Sequence, residues 1–147
     1  MELILQQGLK HQWAAVEAAC QALEGVRMSA PAQPYENPRI DLADPRIGEN
    51  VREIQKRLPP EYQKWTPAGD CLNLDIKMET GTGKTYVYTQ TIFELHKRYG
   101  FNKFILVVPS LAIKAGAAQF LGDEYVRRHF SDACGYGTEI ELECLEP

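Results

Sequence analysis

Apolar and polar positions along the chain follow first a helical period and later a period of two. Trp13, Val16, Cys20 and Leu23 recur at helical spacing, and Gly25 supplies a stop. Between Met28 and Ile47 the prolines Pro31, Pro34, Pro38 and Pro45 break any periodicity, which predicts a long surface connection. Val51, Ile54 and Leu58 then predict a short helix, ended by Pro59 and Pro60. From Cys71 the period becomes two: CLNLDIKM places Leu72, Leu74, Ile76 and Met78 on alternate positions, as a strand does. After Lys84, the residues Tyr88, Ile92, Leu95 and Tyr99 share one helical face, and Gly100 follows as a stop. FILVVP, Phe104 to Pro109, is a short continuous apolar run of the kind buried on both faces of a sheet. Strand, helix and strand in this order make a βαβ unit with parallel strands and a right-handed crossover.

Two further helices are predicted, from Ser110 towards Phe120 and around Glu124 to Phe130. TEIELECLE sets Ile140, Leu142 and Cys144 against Glu139, Glu141 and Glu143. That pattern is a strand with one wet face, or one waiting for a neighbour. No internal repeat or low-complexity tract interrupts these elements.

Composition narrows the class. With 147 residues, 44% of them hydrophobic and 24% charged, the chain suits one soluble globular domain of ordinary size. No apolar run approaches the roughly 20 residues that span a bilayer, so no membrane partner is expected. The start, MELILQQGLKHQW, has neither a basic leader nor a small-residue cleavage site, which makes a cytoplasmic protein the default. Cys20, Cys71, Cys134 and Cys144 form no CxxC pair and have no histidine at metal-ligand spacing, so they read as reduced thiols. The net charge of −4 weighs against an isolated DNA-binding module. It does not weigh against a larger enzyme with a basic groove elsewhere.

The strongest chemical signal is METGTGKTY, Met78 to Tyr86. A triphosphate is held by many donors converging on a small volume. Gly81 and Gly83 let the backbone curl so that successive N–H groups point inward. The helix opening at Lys84 brings the positive end of its dipole to the same place. Lys84, the catalytic candidate, would reach the β- and γ-phosphates of ATP, and the Thr85 hydroxyl would ligate Mg²⁺. The general pattern GxxxxGK[ST] has glycine where this chain has Met78, so a plain glycine-rich turn before a helix stands as the alternative.

A loop without the first glycine resembles motif I of superfamily-two helicases. METGTGKTY is similar in particular to the restriction subunit of type III restriction-modification enzymes, and VVPSLAIKAG, Val107 to Gly116, resembles that family's motif Ia. HQWAAVEAA near the start resembles the glutamine motif that reads adenine, with Gln12 as the matching residue. The resemblance spans about residues 9 to 116. It implies that Gln12, Thr80, Gly81, Thr82, Gly83, Lys84 and Thr85 bind the nucleotide. It also implies that Ser110 contacts a DNA phosphate, with Lys114 adding a charge contact to the backbone. Each of these has a plainer reading beside it. Gln12 can be an exposed polar position on an amphipathic helix, Ser110 a helix N-cap, and Lys114 a solvated lysine.

The same resemblance implies an α/β fold, a three-layer parallel sheet with a P-loop as in the first RecA-like helicase domain, incomplete in this chain. Residues 1–26 would be an N-terminal helix with the glutamine motif, 27–69 a proline-rich connection with a short helix, and 70–147 the first part of the ATP-binding domain. Superfamily-two motors also need an Asp-Glu pair at the end of a buried strand. Asp123-Glu124 follows Gly122 with no apolar strand ahead of it and reads as a helix start instead. The expected protein is therefore the ATP-binding front half of an ATP-dependent DNA translocase and endonuclease. Its partners would be duplex DNA and a modification (methyltransferase) subunit, and this portion alone would neither hydrolyse ATP nor cut DNA. Another superfamily-two helicase, a type I restriction motor, or a non-catalytic P-loop nucleotide-binding protein are the alternatives.

Overall fold

The computed structural model describes residues 5–64 and 71–145. The expected boundary near residue 70, and the first residues of the chain, lie outside them. Helix α1, Lys10–Gln21, is followed by a turn that closes on Gly25 at φ 67. Val16, Cys20 and Leu23 are buried as the spacing predicts, whereas Trp13 is 41% exposed.

The proline-rich stretch is more ordered than a surface connection. Strands β1, Met28–Ser29, and β2, Arg39–Ile40, pair antiparallel. Between them Asn37 reaches across the chain: its Oδ1 accepts from the N–H groups of Asn102 and Lys103, each at 2.8 Å, and its Nδ2 donates to the Lys103 carbonyl at 2.8 Å. A side-chain amide here satisfies backbone groups much as a neighbouring strand would. Helix α2, Pro45–Gln55, begins inside what the prolines suggest is irregular, because Pro45 sits at its first position, where no N–H is needed. Asp44 caps it, accepting from Arg46 N at 3.0 Å and from Arg27 N at 2.9 Å. Those backbone bonds hold the Asp44 carboxyl below the usual aspartate range. Leu58, expected on the buried face, is 44% exposed beyond the helix end.

Helix α3, Lys84–Tyr99, is the centre of the molecule and ends on Gly100 at φ 76. It is buried on two sides, so its covered residues are Tyr86, Val87, Thr89, Phe93 and Glu94 rather than the single expected face of Tyr88, Ile92, Leu95 and Tyr99. On one side Val87 packs on Val16 and Cys20 of α1. On the other, Tyr86 and Phe93 meet Val126 and Phe130. Helix α4, Leu111–Gly122, is capped by Ser110, and α5, Glu124–Arg128, by Asp123, whose carboxylate accepts from Tyr125 N and Val126 N. The Asp123-Glu124 pair is thus a helix start, as its sequence context suggests. A π-helical turn, His129–Ala133, carries the chain on. Its Phe130 stacks on Phe93 with centroids 5.2 Å apart, and Tyr136 also stacks on Phe93, at 4.9 Å.

The three predicted strands differ. Among the described residues the β1–β2 pair is the sheet; of the predicted strands, Cys71 makes an isolated bridge, and residues 72–78, 104–109 and 138–145 form no ladder. A strand exists only through hydrogen bonds to a neighbour, and these segments form no ladder with a described one. Much of their apolar surface is correspondingly bare, Ile105 being 90% exposed, Val107 85% and Leu145 79%, although Met78 and Ile140 pack against the two helical clusters. The three-layer parallel sheet is therefore not what these residues form by themselves, and the described architecture is mainly helical with one short antiparallel pair.

Candidate nucleotide site

The loop that precedes α3 is built by two left-handed glycines. Gly81 has φ 81 and Gly83 has φ 88, conformations that side-chain-bearing residues rarely adopt. Gly83 is the N-cap of α3 and offers no side chain, so the first N–H groups of the helix are left to whatever occupies the loop. Two loop side chains converge on one acceptor: Thr82 Oγ1 donates to the Glu79 carbonyl at 2.7 Å, and Lys84 Nζ donates to it at 2.9 Å. The Lys84 ammonium thus lies across the curl of its own loop, exposed, with a carbonyl where an anion would compete for it. Thr85 is half-buried one residue on, and Thr80 is exposed at the loop entrance.

The N-terminal helix closes the site from one side. Gln12 is only 7% exposed, which excludes the reading of a solvated polar position. Its Nε2 donates to the Thr82 carbonyl at 3.1 Å, and His11 Nε2 lies 3.2 Å from the same oxygen. Because the acceptor is a carbonyl, the hydrogen-bonded His11 nitrogen must carry the proton. A Cβ on Gly83 would stand 2.3 Å from Gln12 Nε2, so glycine is needed there twice, for its φ and for the room it leaves. Gln12 Oε1 is buried and, among the described residues, has no hydrogen-bond partner. An orphaned acceptor of this kind costs about 1–3 kcal/mol and is the sort of group a ligand donor satisfies.

Ser110 and Lys114 form a separate pair one turn apart, joined by the bond from Lys114 N to the Ser110 carbonyl at 2.9 Å. Ser110 Oγ accepts from Ile113 N at 3.3 Å, so it is an N-cap, and Lys114 Nζ donates to the Leu145 carbonyl. Three contributors escape sequence reasoning: His11, the Arg98 side chain that ties α1 to α3, and the buried Tyr86–His129 pair. Tyr86 OH lies 3.0 Å from His129 Nε2, and burial pushes the Tyr86 hydroxyl up and the His129 imidazole down from their ordinary ranges. No local pattern could flag these roles, because the partners that matter, Thr82 for His11, Glu17 for Arg98 and His129 for Tyr86, lie 43 to 81 positions away. Cys20, Cys71, Cys134 and Cys144 are free thiols, and among the described residues no group of histidines, cysteines and carboxylates could hold a metal ion. Burial raises the Cys20 thiol to about 11. No described helix is long and apolar enough to cross a membrane.

An extended run, a curl of left-handed glycines and a helix opening on Lys-Thr is the loop–helix class to which nucleotide-binding P-loops belong. Within it, residues 7–138 match the family Type III restriction enzyme, res subunit, and the chain belongs to that family. It is 36% identical, over 96% of its own length, to the EcoPI Res subunit of a type III restriction-modification enzyme from Escherichia phage P1. It is likewise 36% identical, over 97%, to the EcoP15I Res subunit from Escherichia coli. The StyLTI Res subunit from Salmonella typhimurium is 61% identical over a shorter stretch, 42% of this chain. The chain spans about 15% of the length of the first two.

Proposed function

We propose that this chain is the ATP-binding part of a type III restriction motor, with ATP held between the Gly81–Thr85 loop and Gln12. The observation that carries the reading is the buried Gln12 amide, set over Gly83 with one oxygen unpartnered. Adenine offers an amino donor beside a ring-nitrogen acceptor, which matches a Gln amide in bidentate fashion. Gln12 Oε1 would accept from the amine, while the second Nε2 hydrogen, not used by Thr82, would donate to the ring nitrogen. The N–H groups curled around Gly81 and Gly83 would hold the phosphates, with Thr80 and Thr82 lining the loop. Lys84 would leave the Glu79 carbonyl for the β- and γ-phosphates, a short swing from a site where it makes one neutral-acceptor bond. The Thr85 hydroxyl would be one ligand to Mg²⁺, which supplies charge neutralisation at the phosphates when bound.

The segments 71–78, 104–109 and 138–145 would become parallel strands of a RecA-like sheet once neighbouring strands pair with them, which their bare apolar faces favour. Residues 1–26, 27–69 and 70–147 would then serve as the base-reading helix, the connection and the first part of that domain. Ser110 and Lys114, at the opening of α4, would face a DNA backbone, the serine contributing through its hydroxyl and the adjacent helix N–H groups. The full protein would couple ATP hydrolysis to movement on duplex DNA, cut it as an endonuclease, and work in the cytoplasm with a modification subunit.

Titration of the full-length protein with a fluorescent ATP analogue tests the central point. Lys84→Ala is expected to weaken binding by about 10- to 100-fold, the loss of one or two charge-assisted hydrogen bonds. Equal affinity in the two proteins would overturn the reading.

A further inference from the structure

Helix α1 carries Gln12, yet little in α1 itself determines where Gln12 stands. Its N-cap, Leu9, has no capping side chain, and its first turn has no acidic residue. Its apolar contacts, Val16 and Cys20 against Val87 with Met78, Leu95 and Tyr99 around them, are non-directional and would tolerate a small slide or rotation. Gln12 tolerates neither, because its amide fits over a glycine with no room for one more carbon. Directional contacts must therefore set the register: the Gln12 and His11 bonds to the Thr82 carbonyl at the loop itself, and a second set at the far end of α3.

Arg98 clamps Glu17 of α1 with both terminal nitrogens, Nη1 to Oε1 at 3.1 Å and Nη2 to Oε2 at 2.7 Å. Beside it Tyr99 OH donates to the Cys20 carbonyl at 2.7 Å. The guanidinium is itself fixed from behind. Its Nε donates to Glu94 Oε2 at 2.6 Å, and the other Glu94 oxygen accepts from Tyr136 OH at 2.7 Å. Glu94 is 6% exposed, and the Arg98 and Glu17 side chains are 30% and 27% exposed. This is a forked, partly buried pair in a network, the kind of ion pair that holds a geometry. It lies about 14 residues, or roughly 21 Å along α3, from the loop it serves.

We propose that Arg98 is a positioning residue for base selection: by clamping Glu17 it keeps α1 in the register that holds the Gln12 amide over Gly83. This rests on the nucleotide reading above. Arg98 touches neither the loop nor the space over Gly83. A guanine presents a carbonyl where adenine presents its amine, so a correctly placed Gln12 Oε1 meets a donor in one case and an acceptor in the other. Freed from Arg98, the amide loses its place and that discrimination weakens, while the loop and Lys84 still take a triphosphate of either base.

Fluorescent ATP and GTP analogues, titrated separately into the full-length protein, read this as a ratio of affinities. Arg98→Ala is expected to lower the ATP-over-GTP preference by about tenfold, with GTP affinity little changed. Since that variant strands Glu94 in a buried position, Glu17→Gln provides a second break of the same clamp with the same side-chain size, and both are checked by thermal melting. In a Gln12→Ala background, which removes the preference, adding Arg98→Ala should change the ratio no further. A loss of affinity for both nucleotides alike would mean that Arg98 only stabilises the fold, and it would overturn the proposal. So would an intact preference in folded Arg98→Ala and Glu17→Gln proteins whose Gln12→Ala counterpart has lost it. Insensitivity of all triphosphate binding to Lys84→Ala would instead remove the nucleotide reading beneath it.

Discussion

The α1–α3–α5 region is closely packed, whereas the three apolar segments around it leave much of their apolar surface bare. Val16 and Cys20 are wholly buried and Phe130 is 1% exposed, whereas Ile105 and Val107 stand almost fully in solvent. The difference is one of valence. A helix satisfies its backbone internally and needs only a neighbour for one stripe, which α1 finds on α3 despite the long stretch of chain between them. A strand must find both its backbone partners and its side-chain partners on other segments. Apolar character alone does not make a strand.

The comparison can be broken hardest at Phe130. It packs between Tyr86, at 5.0 Å, and Phe93, at 5.2 Å, so Phe130→Ala should cost about 3–5 kcal/mol in urea unfolding. A much smaller loss would mean that this cluster is no better packed than the bare segments. A matched pair sharpens the contrast next. Val16→Ala should cost about 2 kcal/mol and Val107→Ala within about 0.5 kcal/mol of zero, in the same assay on the same 147-residue chain. Equal costs would show that Val107 is covered in solution.

The smallest effect is on pH dependence. Burial lowers the His129 pKa from its ordinary 6.5, so the folded state resists the proton that the unfolded chain accepts. Stability should be flat in pH above about 6.5 on this account, and fall as pH drops from there through the folded value. Glu17, held below the usual glutamate range by its hydrogen bonds from Arg98, acts in a lower window, its contribution being lost as pH falls from about 4.5 through the folded value. Urea midpoints measured from pH 7.5 down to 5 should therefore slope less in His129→Gln than in the wild type. An unchanged slope in that variant would put the titration elsewhere.

Much of this was legible in residues taken singly. Helices α1, α3, α4 and α5 lie where period, caps and glycine stops put them, with Gly25 and Gly100 both left-handed and Asp123 and Ser110 both capping. The Pro45 start of α2 lies outside the expected helix because proline marks irregularity in most contexts and a helix's first turn in one. The buried face of α3 was misjudged for a different reason. Periodicity reports one apolar stripe, and α3 is covered on two sides, in part through the polar residues Thr89 and Glu94.

By itself the sequence determined the local chemistry: a loop curled by Gly81 and Gly83, a lysine and a threonine at the head of α3, and the family to which this pattern belongs. Such features depend on backbone conformations and neighbours a few residues apart, and residue identity controls those directly. Only the tertiary structure decided that Gln12 is buried over Gly83 with an unpartnered oxygen, and that Arg98 holds its helix in place. Those relations join residues 71 to 81 positions apart, where a side chain's role is set by what folding brings against it.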